Sequence, residues 1–138
     1  MTNKGIHKMD LNELREEFKK DKFASCRLGA VIDEAESERV VCSMDILPHH
    51  LNGVGRVMGG AVFTLADFSA AVLSFAMNKK TVSLSSNINF FGAPKGKRLI
   101  TESKCVKDGN SVCVYETTVK DELGSKVAFV TATGFVIK

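Results

Sequence analysis

The chain lacks the features that would place it outside the cell. Its first twenty residues, MTNKGIHKMDLNELREEFKK, contain no apolar segment of the signal-peptide kind, so a cytosolic location is expected. Cys26, Cys42, Cys105 and Cys113 are scattered with no C-x-x-C pair. A chain of 138 residues needs no disulfide staples, and four reduced thiols, most of them in the core, are expected. No Cys or His spacing has the form of a zinc site, so neither metal nor cofactor is expected. Charge of one sign is also scarce: the formal net charge of +3 comes with no long block of either sign and does not demand a nucleic-acid partner. Residues 10 to 20 are too acidic and too short for a DNA-reading helix. Repeats and low-complexity tracts are missing as well. One domain is expected over residues 1–138, with residues 1–20 as a helical extension.

What is present centres on residues 52 to 71, NGVGRVMGGAVFTLADFSAA. After four glycines the chain enters an apolar run, Ala61 to Met77, in which Asp67 is the one charged residue. Val62, Phe63, Leu65, Phe68, Val72, Leu73 and Phe75 cannot share one stripe of a helix, so this helix must be surrounded by protein. The run is marginal for a membrane span, contains an acid and sits among strand-like segments, which favours a buried core helix and no membrane. A charge in such a helix is costly unless it is paired, neutralised or used.

Around this helix the remaining elements read as follows. Asp10 opens a capping-box pattern with Glu13, and Leu11, Leu14 and Phe18 share a face, which predicts a short amphipathic helix. Alternation over 26–34 and 39–46 across a charged turn at 36–38 predicts two strands in a hairpin. Pro48 and the HHLNGVG segment form a loop, and Asn78 with Lys79 and Lys80 ends the long helix. Four strands follow, over 81–90, 98–107, 111–120 and 126–137, with a tight turn at 108–110. An antiparallel sheet curved around one central helix is the simplest way to cover that helix, giving an α+β fold.

The element order and the string N-G-x-G-x-x-x-G-G-x-x-x-T-L-A-D, reinforced by TVSLSSNINFF and the proline loop after it, resemble the hotdog-fold acyl-CoA thioesterases of the phenylacetate-pathway and thioesterase-superfamily type. The resemblance covers roughly residues 20 to 138. It implies that Asn52 helps hold the thioester or the attacking water, that the Gly59 backbone N–H polarises the thioester carbonyl, and that Asp67 is the catalytic carboxylate. Ser83 matches a supporting serine on the next strand. Met58 departs from the family, which commonly has His before the paired glycines. The resemblance further implies a homodimer that pairs into a homotetramer, with active sites between subunits.

The residue types suit that chemistry. Gly59 and Gly60 open a helix, where unpaired N–H groups and the positive dipole end favour a developing oxyanion. Asp67 in apolar surroundings gains basicity and can activate water or attack directly. At ~1.5 Å rise per residue, Gly59 and Asp67 lie on the order of 12 Å apart, so a second subunit should supply one of them to a shared thioester. Lys95, Lys97 and Arg98 sit in the proline loop, where they are candidates for the phosphates of coenzyme A. His49 and His50 read as loop surface. The expected function is hydrolysis of an acyl-CoA to free acid and coenzyme A. The alternative is a non-catalytic acyl-CoA or acyl-lipid binding or sensor protein, while a hydratase would want an Asp/His pair that His49 and His50 are poorly placed to supply.

Overall fold

A computed structural model describes residues 9–138; the first eight residues of the expected N-terminal extension lie outside it. Asp10 caps helix α1 (Leu11–Phe18): its Oδ1 accepts from the Glu13 N–H at 2.8 Å, and Glu13 Oε1 accepts from the Asp10 N–H at 3.2 Å. These reciprocal bonds fix the entry of a helix too short to stand alone. Leu14 and Phe18 are buried, and the Phe18 ring meets Phe68 and Phe75 edge-on at 5.5 and 5.2 Å. Arg15 then ties the helix to the sheet by donating to the Ile32 carbonyl from Nε and Nη2.

Six antiparallel strands follow: β1 (Val31–Ala35), β2 (Arg39–Asp45), β3 (Thr81–Phe90), β4 (Arg98–Asp108), β5 (Val112–Asp121) and β6 (Lys126–Val136). Their order across the sheet is β1-β2-β4-β5-β6-β3. The long helix α2 (Gly59–Ala76) touches every strand. Val62, Leu65, Ala66, Phe68, Val72 and Leu73 are all buried, from several sides of one helix. α2 is long and apolar enough to cross a membrane, but more than half of it is buried inside this fold. It ends where Asn78 adopts φ 59°, and the Lys79 N–H returns to the Ser74 carbonyl at 2.8 Å. The Lys79 ammonium does not stay free at the helix end. It donates to the Gly109 carbonyl at 2.7 Å and pairs with Asp108.

The expected strand beginning at Cys26 is a correction. Residues Lys22–Leu28 form a wide π-helical turn, with Ala24 and Leu28 buried on its inner side, and Gly29 at φ 87° reverses the chain. The turn is anchored by Ser25 Oγ on the Asp21 carbonyl at 2.7 Å and the Ala30 N–H on the Ala24 carbonyl at 2.9 Å. Apolar residues at i and i+4 followed by glycine carry a helical signal that short-range alternation obscured. The first strand therefore starts at Val31. All four cysteines are free; Cys42 and Cys113 are buried, Cys105 is half-buried and Cys26 is exposed. Burial pushes the Cys42 thiol up to about 12, which makes it a core residue without thiolate chemistry.

Asp121 organises the loop after β3. It is buried, and its Oδ2 accepts from the Lys95 and Gly96 N–H groups at 2.7 and 2.9 Å, while Oδ1 accepts from Leu123 and Ser125 at 3.0 and 2.8 Å. Glu122 accepts from the Lys97 and Arg98 N–H groups beside it. A Cβ at Gly96 would lie 2.1 Å from Glu122 Oε1, so a larger residue there would push the Glu122 carboxylate off these N–H groups. Burial alone would raise the Asp121 pKa, but the backbone donors outweigh it and hold the carboxyl at about 2 against an ordinary 3.8. A lowered folded-state pKa contributes stability that is present above 3.8 and is lost as pH falls toward about 2. Asp121→Asn should therefore have a lower Tm than the parent at pH 7. Thermal melts across acid pH should show that difference shrinking through this same window.

Candidate functional site

The site begins in the loop before α2. Pro48–His50 forms one 3-10 turn, and the imidazole of His50 is buried rather than on the loop surface. Its Nδ1 accepts from the Leu47 N–H at 3.0 Å and its Nε2 meets the Leu28 carbonyl at 2.8 Å, the pairing of a neutral ring with Nε2 protonated. Burial lowers the His50 pKa, with its Leu28 hydrogen bond opposing. Both ring nitrogens are occupied, which makes His50 a tie between the π-helical turn and the site loop. Sequence reasoning missed it because a Pro-His-His run carries no periodicity.

Asn52 builds the next turn. Its Oδ1 accepts from the Val54 and Arg56 N–H groups at 3.0 and 3.1 Å, and Gly55 completes the reversal at φ 76°. Leu51 and Val57 then pair as an isolated bridge, and the Met58 N–H donates to the His50 carbonyl at 2.8 Å. The Met58 carbonyl accepts from Ala61 and Val62 at 2.9 and 3.2 Å, which closes the first turn of α2. Among the described residues, no acceptor meets the N–H of Gly59 or Gly60. Two backbone donors are thus left open at the positive end of an 18-residue helix.

Two clefts flank that end. One, of about 340 Å³, lies between Gly59, Arg56, Val62, Phe90 and Pro94. Phe90 lies so close that a Cβ on Gly59 would stand 3.0 Å from its Cζ. The other, of about 360 Å³, is lined by Gly60, Met58, Phe23, Leu28, His49 and Thr64 and is largely apolar. Met58 is exposed at the helix N-cap and faces this second cleft.

Asp67 lies elsewhere. It lines a cleft of about 150 Å³ between α2 and the β3–β6 edge, together with Ser83, Thr81, Tyr115, Ala71 and Gly134. Asp67 and Ser83 are therefore brought together, while Gly59, Gly60 and Met58 line other clefts. Asn52 lies in the loop before α2; Lys95 is exposed and directly follows Pro94 of the Phe90 cleft, while Lys97, also exposed, lies further along that loop. Arg98 is already engaged, with Asp45 at 2.7 Å, Asp33 at 3.6 Å and the Ser43 hydroxyl at 2.5 Å.

Asp67 is exposed in the single chain rather than enclosed in the apolar surroundings expected, and the cleft it borders is walled by Thr81, Ser83, Tyr115 and Thr133 as well as by Ala70 and Ala71. Burial raises its pKa above the ordinary 3.8, and repulsion from Asp21 adds to the rise. Solvent at the rim limits the size of this effect. Among the described residues, no hydrogen-bond donor reaches it to favour the charged form.

The sequence profile of the thioesterase superfamily matches residues 54–128. This chain belongs to the thioesterase superfamily. A hypothetical thioesterase from Streptococcus pneumoniae, solved with coenzyme A, is 27% identical with a TM-score of 0.81, covering 88% of this chain and 95% of its own. A Streptococcus mutans protein solved bound to acetyl CoA is 30% identical with a TM-score of 0.75, covering 78% and 88%. An Archaeoglobus fulgidus protein whose name proposes an esterase is 29% identical over 117 residues, 84% of this chain and 75% of its own. The expected hotdog fold is thus the fold of this thioesterase: a curved antiparallel sheet around one helix.

The raised Asp67 pKa has a consequence for stability. A group whose folded pKa is raised favours the fold in its protonated form, and that contribution is lost as pH rises through the folded value. Asp67 therefore costs the thioesterase stability at neutral pH. Asp67→Asn should raise Tm at pH 7, and thermal melts should show the two proteins converging below 3.8, where the parent carboxyl is protonated as well.

Proposed function

We propose that this thioesterase hydrolyses an acyl-CoA to the free acid and coenzyme A. The observation that carries this reading is the pair of open N–H groups of Gly59 and Gly60 at the head of α2. They suit a thioester oxygen that becomes negative as the carbonyl carbon turns tetrahedral. Asp67 acts as base toward water, or attacks the carbon and is released by water. Its raised pKa suits either role near neutral pH. Ser83 shares the Asp67 cleft, and the Nδ2 amide of Asn52 is the part of that side chain its own turn leaves to a substrate. Lys95 and Lys97, exposed in the loop whose Pro94 lines the Gly59 cleft, are the cations offered to the phosphates of coenzyme A. The coenzyme A and acetyl CoA held by the two streptococcal proteins support this ligand class.

The catalytic unit is a dimer. Gly59 and Asp67 are eight positions apart on one helix, on the order of 12 Å by its rise, too far to grip one carbonyl. Strand β3 runs between them: Phe90 touches Gly59 at one end, and Thr81 and Ser83 line the Asp67 cleft at the other. β3 is an edge strand with one neighbour, β6. Two copies paired antiparallel along that edge set the Thr81 end of one against the Phe90 end of the other. Asp67 of one protomer then approaches Gly59 of its partner, and two such dimers form a tetramer.

Thiol release measured over acyl-CoAs that differ in chain length and aromaticity should show turnover with at least one, with no added metal. Tight binding without turnover across the panel would establish the acyl-CoA binding protein instead, with Met58 marking a disabled site. Asp67→Asn and Gly59→Pro, each checked for folding, should separately lose at least ~100-fold in kcat. Co-refolded together, they should recover activity approaching half the parental value per mixed dimer, because one of the two sites is then intact. Folded mixed dimers that stay inactive would show that the two residues do not act across an interface.

A further inference from the structure

The cleft beneath Asp67 holds one group that the chemistry above does not use. Tyr115, on β5, is 2% exposed, and its hydroxyl is the one buried side-chain polar atom without a hydrogen-bond partner among the described residues. The Thr81 and Cys113 side chains come near enough to perturb it, but neither meets it with the geometry of a hydrogen bond. A buried hydroxyl left dry is costly, so an orphan of this kind signals an absent partner. Tyr115 lines the same cleft as Asp67, Thr81, Ser83 and Thr133. Its remaining walls are small: Ala70, Ala71, Ala132 and Gly134. At about 150 Å³ it has room for several waters, and hydroxyls that can both donate and accept supply the polar contacts a buried water needs.

We propose that this cleft is a water site, and that Tyr115 is a positioning residue whose hydroxyl fixes the innermost water of a short chain leading to Asp67. The inference rests on the reading of Asp67 as the carboxylate of thioester hydrolysis. Hydrolysis consumes one water per turnover. The oxygen of that water bonds to the acyl carbon, one proton passes to Asp67, the C–S bond breaks, and the departing thiolate of coenzyme A takes up a proton. An acyl-CoA seated over Asp67 shuts out bulk solvent, so water has to be stored on the protein side of the carboxylate. The small residues keep that space open, and Tyr115 keeps it wet. In the route where Asp67 attacks first, the same waters cleave the resulting anhydride.

Tyr115→Phe removes one oxygen and leaves the ring in place. Its Tm should stay at or above the parent's, while kcat falls roughly 10-fold with KM unchanged for every acyl group tested, since water and not the acyl-CoA is disturbed. An unchanged kcat would overturn the proposal. So would a loss confined to acyl groups carrying a hydroxyl or keto oxygen, because that pattern belongs to a cleft that receives the acyl chain. High-resolution crystal structures provide a readout independent of turnover. The parent should show an ordered water within hydrogen-bond distance of Tyr115 Oη that is missing in Tyr115→Phe, and a dry Oη in the parent would refute the site. If the parent hydrolyses no acyl-CoA at all, the enzyme reading fails, and the crystal structures alone decide whether the water site exists.

Discussion

One constraint shapes this fold: helix α2 is apolar on nearly every face and must be wrapped over most of its surface. Six strands do this by curving around it, and α1 seals the flank through Phe18 against Phe68 and Phe75. Burying one large apolar side chain contributes about 1.5–3 kcal/mol, so a helix with Leu65, Phe68, Val72 and Leu73 all enclosed dominates the core. The wrapping is incomplete in two places. At the head of the helix the glycines leave backbone N–H groups open, and along its middle small residues leave the cleft beside Asp67. Both gaps arise from the absence of side chains, which is how a close-packed interior makes room for a ligand.

Two aspartates show how the surroundings divide roles among like groups. Asp121 is almost fully buried, yet four backbone N–H groups converge on it and its pKa falls. Asp67 reaches the surface, yet among the described residues no donor meets it, and its pKa rises. Hydrogen-bond satisfaction, more than depth, decides the direction. The satisfied acid holds a loop in place. The unsatisfied one is left with basicity to use, at a cost in stability of the kind that functional sites carry.

Much of this was legible in the chain because it depends on period and punctuation. The nearly all-round apolar pattern of α2, its end at Asn78, the Asp10 capping box and the positions of the last four strands along the chain follow from spacing alone; their order across the sheet does not. The pairing of Ser83 with the Asp67 cleft required the resemblance to known thioesterases, since nothing local links a strand serine to a helix acid. The turn at Lys22–Leu28 was misread as strand because its two inward residues, Ala24 and Leu28, are too few to establish a period. Tertiary hydrogen bonds left no trace at all. The buried chain of Ser69, Ser103 and Thr117 hydroxyls beneath α2, the clasp of Asp121, the engagement of Arg98 by Asp45 and the two-sided tie of His50 join residues far apart in sequence.

The two edges of the sheet are treated differently, and the difference bears on how the site is completed. β1 is five residues long, carries Asp33 and Glu34, and has a bulge between Ile32 and Glu34, all of which discourage another strand from joining it. β3 is ten residues long with no charge and no proline. Val82, Leu84 and Phe90 stand exposed along it in the single chain. An unguarded edge of that length invites aggregation unless a defined partner takes it. The strand left open also touches Gly59 at one end and borders Asp67 at the other. A two-fold pairing along β3 would cover the apolar edge and, on the proposed reading of Gly59 and Asp67, bring the separated halves of the site together in a single step, so that protecting this surface would also assemble the chemistry.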